Sequence, residues 1–357
     1  MNSRVTLTDV AKRAGVHYTT VSLALRNHPR LPKATRQRLC EIAEHMGYRP
    51  DPLLHALSDY RNAKKDRHGV TTVAYLTNWS SRWGWRDVAA EAEIFQGAEE
   101  RATKLGYKLE HFWRGESQMT DQRLTDVLRA RGITGILLAS DPNEGNGFPQ
   151  LNWAGFTAIQ VGSWPRFSPI NRVTHDRTSA IYTAIQHVIA AGYQRIGVVL
   201  DERWEQAPEL IGAAAGFDRS LSGKPYTLSH FVFSNCNSSD RAAPTSSSDQ
   251  TKNFSAWMTT RSPEVLISTT TLIRPILQNL DLDAFRNLAF VDFKLQNADG
   301  EIAGVKENCR FLGEVAVEAL AGQLAQHLYG VPAIPTTTLI NGTWVDGRSL
   351  PPLVKRS

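Results

Sequence analysis

The sequence predicts a small all-α helix-turn-helix head followed by an α/β body of two Rossmann-like lobes. Three observations carry this expectation. Residues 1–68 hold 13 Lys/Arg against six Asp/Glu, a net +7, whereas the remaining 289 residues hold 27 against 29. Apolar residues in the basic part recur at helical spacing. From residue 71 onward, short apolar runs alternate with helical periods, the pattern of parallel sheets covered by helices. Some 290 residues are too many for one such sheet of six strands, so two lobes are expected.

The head reads as three helices. Thr6-Leu7-Thr8-Asp9 has the spacing of a capping box, in which the first side chain caps the helix and the fourth reaches back. Leu7, Val10, Ala11 and Ala14 follow on one face, and Gly15 stops the helix. A second helix is expected over about 17–26, with Val21, Ala24 and Leu25 inward. Tyr18, Thr19 and Leu23 then face outward, and Thr20 and Ser22 reach toward phosphates. A third helix runs from about Lys33 to Met46, with Leu39, Ile42, Ala43 and Met46 inward and Gly47 after it. Helix, tight glycine turn, helix and support helix make a reader of duplex nucleic acid. The excess of positive charge on this part alone is the footprint of a polyanion partner.

Other classes are excluded by what the chain carries. The apolar runs GILLA at 135–139 and IGVVL at 196–200 fall far short of the ~20 residues that span a bilayer, so no membrane partner is expected. Residues 1–15 are broken by Asp9, Lys12 and Arg13, leaving no apolar core for a secretory signal. Cys40, Cys236 and Cys309 are too scattered for a disulfide framework or a zinc site. We therefore expect reduced thiols, no metal, no cofactor and a cytoplasmic, nucleoid-associated protein. Catalysis is not expected: there is no G-x-S-x-G and no P-loop. Gly145-Asn146-Gly147 lacks the spacing and context of a dinucleotide fingerprint, and His175-Asp176 reads better as a helix-capping pair than as a catalytic dyad.

The runs VTLTDVAKRAGVHYTTVSLAL (5–25) and TRQRLCEIAEHMGYRPDPLLHAL (35–57) closely resemble the DNA-binding head and hinge of the lactose-repressor (LacI/GalR) family. The order T-L-x-D-V-A-x-x-A-G-V, T-V-S, T-R, G-Y-R-P-x-P-L carries the resemblance, which continues more faintly through the body. It implies that Tyr18, Thr19 and Leu23 meet base edges, and that Thr20, Ser22, Arg30, Thr35 and Tyr48 contact or support the DNA backbone. Many members carry arginine where Leu23 stands; leucine offers only apolar contact, for instance to a thymine methyl. Pro32 replaces the usual serine cap of the third helix. Asp51 and Pro52 suit the start of a short hinge helix. The resemblance implies that Leu54 and Leu57 of this hinge enter the minor groove, with Leu57 wedged into the central base step. Arg61–His68 reads as a basic linker.

For the body, the resemblance implies the type I periplasmic-binding-protein-like architecture with a small-molecule effector between the lobes. The expected domains are the head at 1–49, hinge and linker at 50–68, and the effector-binding and dimerisation body at 69–357. Lobe 1 is expected over about 70–165 and 294–322, and lobe 2 over about 166–293 and 323–345. Strands are expected at 71–77, 107–113, 132–139, 157–162, 195–200, 228–233, 263–268 and 287–292. Helices are expected at about 87–105, with Val88, Ala92, Phe95, Ala98, Ala102 and Leu105 on one stripe, and at 177–191, 207–221 and Phe311 to Tyr329, and the Ser-rich stretch 234–253 reads as a surface loop. No leucine heptad follows the body, so a dimer is expected rather than a coiled-coil tetramer.

The cleft departs from the family pattern. Ala213 stands where many sugar-binding members carry arginine, and Lys294 stands where they carry aspartate. The loop Asn78–Arg86 is rich in Trp and Arg instead. Trp79, Arg82, Trp83, Trp85, Trp164 and Lys294 are therefore the candidate effector contacts. Tryptophans stack on sugar faces and arginines bind acids or hydroxyls, so a sugar or sugar acid is the expected ligand class. Packing of the same tryptophans into the core is the competing reading. The expected whole is a homodimeric regulator, most simply a repressor, on palindromic double-stranded operator DNA. The alternative is a DNA-binding regulator with a vestigial, effector-independent body.

Overall fold

The computed structural model describes residues 5–25, 31–48, 70–139, 148–162, 168–201, 210, 212, 216, 226–233, 248–278 and 288–353. The chain divides into two compact units, residues 1–69 and 70–357. The first holds α1 (Leu7–Ala14), α2 (Tyr18–Leu25) and α3 (Lys33–His45). Thr6 caps α1: its backbone N–H donates to Asp9 Oδ2 at 2.9 Å, and Thr6 Oγ1 accepts from Asp9 N at 3.3 Å. Gly15 ends α1 at φ 68°, a left-handed conformation that costs glycine little. Pro32 sits at the start of α3 with no side-chain cap. Val10, Ala11, Ala14, Val21, Ala24, Leu39 and Ala43 form the buried core of the unit. The Arg38 guanidinium donates to Ala14 O at 2.9 Å, tying α3 to the end of α1.

The second unit contains two six-stranded sheets. The first uses β1 (Thr71–Thr77), β2 (Tyr107–Trp113), β3 (Gly135–Leu138), β4 (Thr157–Val161), β5 (Asn171–His175) and β11 (Thr337–Ile340). Its order is β11-β5-β4-β3-β1-β2, with every pair parallel. The second uses β6 (Arg195–Asp201), β7 (Thr227–Phe233), β8 (Val265–Ser268), β9 (Ala289–Leu295), β10 (Ala303–Lys306) and β12 (Thr343–Val345). Its order is β12-β10-β9-β8-β6-β7, with only the β10–β12 pair antiparallel. Strands buried on both faces read as continuous apolar runs, which is why β3, β6 and β8 stand out in the sequence.

Among the described residues the unit also holds helices α4 (Ala89–Lys104), α5 (Asp121–Ala130), α6 (Arg177–Ala190), α7 (Ser248–Arg261), α8 (Thr270–Gln278) and α9 (Cys309–Ala325). Helices α4 and α9 cross at unusually close range. A Cβ added to Gly97 would sit 1.9 Å from Arg310 O, and one on Gly313 would sit 2.0 Å from Ile94 O. Only glycine permits this approach, which buries Ile94, Ala98, Leu312 and Ala316 against the first sheet. The Arg101–Glu318 pair at 2.5 Å flanks the crossing.

The strand pairing corrects the expected lobe boundaries. Residues 171–175 form β5 of the first sheet, not part of lobe 2. Residues 303–306 form β10 of the second sheet, not part of lobe 1, and residues 337–340 form β11 of the first sheet. The chain therefore crosses between sheets at residue 176, at 307–308 and at 341–342. Each crossing falls just after a strand whose backbone is committed to ladder hydrogen bonds, so the chain leaves a sheet only where those bonds end. Four further corrections are local. Residues 248–253 of the Ser-rich stretch are helical, in α7, and 234–247 lie outside the described residues. The last helix covers Cys309–Ala325 and stops before His327, which lies at φ 55°. Strand β3 is confined to Gly135–Leu138 within the expected 132–139. Leu105, expected on the inner stripe of α4, is exposed.

Candidate nucleic-acid interface and a polar cluster at the crossovers

In the basic unit, α2 buries Val21 and Ala24 and turns the opposite side outward. Tyr18 is 51% exposed, Thr19 is exposed, and Thr20, Ser22 and Leu23 are half-buried. The helix therefore presents a ring, a hydroxyl and an apolar side chain together, the mixture that reads base edges. His17, which the sequence reading passed over, organises this face. Its Nδ1 lies 2.8 Å from Thr19 Oγ1, and its ring packs at 4.5 Å from that of Tyr18. The H-Y-T order just before an outward helical face was the available signal. Thr35 is half-buried near the start of α3, and Tyr48 packs partly on the core of the unit. Arg30, Leu54, Leu57, Trp164 and Ala213 lie outside the described residues.

In the body, the Trp-rich segment follows β1 at the carboxyl end of the first sheet, and Lys294 lies near the carboxyl end of β9 in the second. Ligands of open parallel sheets are held outside the carboxyl ends of strands. The segment divides into two kinds of tryptophan. Trp85 is 2% exposed and packs on Phe95 at 4.6 Å and on Tyr75 at 6.1 Å. This is the competing core reading, and it accounts for Trp85. Trp83 is 44% exposed and stacks on His111 at 4.8 Å, with the Arg86 guanidinium 4.0 Å above its ring and that of Arg82 at 5.6 Å. Trp79 is half-buried, and its carbonyl accepts from Trp113 Nε1 at 2.8 Å. The buried Nε1 atoms of Trp79 and Trp85 find no acceptor among the described residues, and neither does the hydroxyl of Tyr75. Burial, reinforced by Arg82 and Arg86, pushes the His111 imidazole down to about 4.

Lys294 does not face an empty charge environment. Its backbone N–H donates to Asp292 Oδ1 at 2.8 Å, while Asp292 Oδ2 accepts from Thr270 N at 2.8 Å and from Thr270 Oγ1 at 2.6 Å. Asp292 thus caps α8, and burial raises its carboxyl above the ordinary range against those hydrogen bonds. The Lys294 ammonium acts on Glu307, as do Arg177 and His175. Burial alone would raise the Glu307 carboxyl; these groups, Arg177 foremost, and the Arg177 hydrogen bond outweigh it and hold the group down to about 2.

Glu307 is the centre of a cluster that the sequence reading missed. Arg177 Nε donates to Glu307 Oε1 at 2.9 Å, His175 Nε2 lies 3.9 Å from Glu307 Oε2, and Cys309 Sγ lies 3.7 Å from His175 Nε2. All three acceptor-bearing residues are buried. Burial, with Glu307 adding to it, pushes the Cys309 thiol up to about 12, so it is protonated at neutral pH. Cysteine and histidine are 134 positions apart, which is why spacing gave no metal motif and no metal was expected. The available signal was topological: H-D-R and E-N-C each stand at the junction of a strand end and a helix start. The capping half of the H-D reading is present in the structure, since Asp176 Oδ1 accepts from Ser179 N at 2.8 Å.

Comparison with known proteins matches residues 6–51 to the model of the bacterial regulatory proteins of the lacI family. The chain is 27% identical over 233 residues to catabolite control protein A of Priestia megaterium, covering 64% of this chain and 65% of that relative, just under two thirds of its length. Among solved structures, the lac repressor dimer bound to operator and the anti-inducer ONPF superposes with a TM-score of 0.51 at 17% identity, covering 98% of this chain and 100% of that one. The transcriptional regulator CelR–cellobiose complex gives a TM-score of 0.51 at 17% identity over 96% of this chain and 98% of that one. A helical head and two parallel-dominated sheets are thus shared with regulators of two-lobed, periplasmic-binding-like fold.

Proposed function

We propose that the chain, whose residues 6–51 match the model of the bacterial regulatory proteins of the lacI family, is a member of that family and a sequence-specific DNA-binding transcription regulator acting as a repressor. The observation that carries the reading is the outward face of α2, with Tyr18, Thr19 and Leu23 on a unit of net charge +7. These three read base edges in the major groove. Thr20, Ser22, Arg30, Thr35 and Tyr48 hold the phosphate backbone and support the helix, fixing register without reading sequence. Leu54 and Leu57 of two paired hinges enter the minor groove at the centre of the site. The protein acts in the cytoplasm, at the nucleoid, as a homodimer on a palindromic duplex.

The body senses a small carbohydrate-related molecule between its lobes. In this reading Trp83 offers its exposed face to the ligand, and Trp79, Arg82, Lys294 and Trp164, the last outside the described residues, are the further candidate contacts. Trp85 supports Trp83 from the core rather than meeting ligand. Relatives of the same fold whose structures hold cellobiose and glucose favour this ligand class. One observation favours the second reading, an effector-independent body: Lys294, a candidate effector contact, acts on Glu307 within the chain.

Selection from a randomised duplex library, with the parent chain and with Leu23→Arg, tests the DNA reading. The parent is expected to enrich a palindrome. The variant is expected to shift one symmetric pair of positions toward guanine, by the ~1–3 kcal/mol of a bidentate arginine contact. Absence of an enriched palindrome counts against the function, and an unchanged palindrome counts against position 23 as a base contact.

A further inference from the structure

The geometry points to a zinc-type divalent-cation site at the crossovers between the two sheets, held by His175 Nε2, Glu307 Oε2 and Cys309 Sγ. One ligand atom from each residue lies within 4.8 Å of the others, with Sγ–Nε2 at 3.7 Å and Nε2–Oε2 at 3.9 Å. Tetrahedral zinc with bonds of ~2.0–2.3 Å sets its ligand atoms roughly 3.3–3.8 Å apart. The trio therefore closes on a cation by side-chain shifts below about 1 Å. Imidazole and thiolate together select zinc-like ions over magnesium and calcium, which prefer all-oxygen shells.

The charge balance suits a buried site. A thiolate and a carboxylate offset the two positive charges of the ion, and with the Arg177 guanidinium held on Glu307 the filled cluster carries one positive charge beside the Glu93 and Glu314 carboxylates of the adjoining cavity. Glu307 is already ionised, whereas Cys309 enters as the thiol. Its S–H bond breaks as the S–Zn bond forms, and that proton, together with any proton carried by His175 Nε2, passes to the bulk buffer. The supporting partner is also in place. Arg177 Nε holds Glu307 Oε1 at 2.9 Å and so leaves Oε2 facing His175. A ligating carboxylate commonly has its other oxygen bonded in this way.

Access is open on one side. Glu307 and Cys309 line a cavity of about 430 Å³ that also carries the carboxylates of Glu93 and Glu314, beside Lys306 and Arg310. This gives a hydrated ion an entry path and leaves room for a fourth ligand from solvent. The position gives the site a consequence. His175 ends β5 of the first sheet, Glu307 follows β10 of the second, and Cys309 opens α9 on the first. A cation there ties together two of the links through which the chain passes between lobes.

The test needs neither DNA nor effector, so its outcome is separate from that of the regulatory reading. The full chain is stripped with chelator under reducing conditions, dialysed and titrated with Co²⁺, then with Zn²⁺. The expected result is a thiolate-to-cobalt charge-transfer band in the near ultraviolet, with intense tetrahedral ligand-field bands. These saturate at one ion per chain and vanish when zinc displaces cobalt, and roughly one to two protons, from the Cys309 thiol and from His175 where it is protonated, are released per ion bound. Cys309→Ser and His175→Gln are each expected to abolish the charge-transfer band and to weaken zinc binding by more than the ~10–100-fold that loss of a supporting partner costs. The double variant Cys40→Ser/Cys236→Ser is expected to keep both. Far-ultraviolet circular dichroism of the metal-free variants monitors folding, and His175→Gln carries the test if Cys309→Ser does not fold. Absence of the band in the parent, or a band that survives either His175→Gln or a folded Cys309→Ser, overturns the site.

Discussion

Replacing Trp85 and Trp83 separately by alanine divides the Trp-rich segment into a structural half and an exposed half. Trp85 is 2% exposed and packs on Tyr75, Phe95 and His111. Truncating a core tryptophan costs ~3–5 kcal/mol. Part of that is returned, because the buried Nε1 of Trp85 has no acceptor among the described residues and an unmade hydrogen bond costs ~1–3 kcal/mol. The net expectation is a loss of about 2–3 kcal/mol. At ~2–4 °C per kcal/mol for a unit of this size, the melting temperature falls by roughly 4–12 °C. Trp83 is 44% exposed and contributes through its stacks on Arg86 and His111. A cation–π contact at an exposed site is worth ~0.5–1 kcal/mol, so Trp83→Ala is expected to cost about 1 kcal/mol. Trp85→Phe, which keeps an aromatic ring and removes the orphaned N–H, is expected to stay within about 1.5 kcal/mol of the parent. Urea and thermal melts followed by circular dichroism measure all three. Equal losses for the two alanine variants, or a neutral Trp85→Ala, refute the division.

The His111 imidazole is held near 4, first by burial and then by Arg82 and Arg86. The unfolded chain therefore binds a proton at higher pH than the folded one. Stability supplied by this group is complete above about 6.5 and lost as pH falls from 6.5 toward 4. His111→Gln is expected to flatten that part of the stability–pH curve, and an unchanged slope in denaturant melts would contradict the assignment. Gly313→Ala places a Cβ 2.0 Å from Ile94 O and must push α4 from α9. It is expected to cost at least the ~1–3 kcal/mol of ordinary overpacking, read as a lower midpoint in urea. A midpoint equal to that of the parent would show that the helices are not held this closely.

How much of this was legible in the sequence differed between the two units, for physical reasons. The head is built from local signals. The Thr6–Asp9 box, Gly15 and the spacing of Val21 and Ala24 specify helices over distances of three to eleven residues. The strands buried on both faces were equally visible as apolar runs, such as Val265–Ser268. Strands β5, β10, β11 and β12 escaped notice because each is five residues or fewer and mixes polar with apolar positions. Missing them moved the lobe boundaries. The crossover cluster was invisible for the same reason: His175 and Glu307 meet only once β5 and β10 are known to end side by side. The Trp-rich segment was found by composition, but composition says nothing of direction. Trp85 turns inward and Trp83 outward although only Gly84 separates them, because the 3-10 turn at Gly84–Asp87 rotates the chain between them.

The central claim is that the basic head binds duplex DNA through its phosphates as well as its bases. A salt titration of binding to the selected palindrome measures this most directly. Each neutralised phosphate contributes about −0.9 to the slope of log K against log salt. With a net charge of +7 on each head, a slope corresponding to several phosphates per head is expected, together with much weaker binding to a scrambled duplex of equal length. A slope near zero, or equal affinity for the scrambled duplex at every salt concentration, would contradict the account.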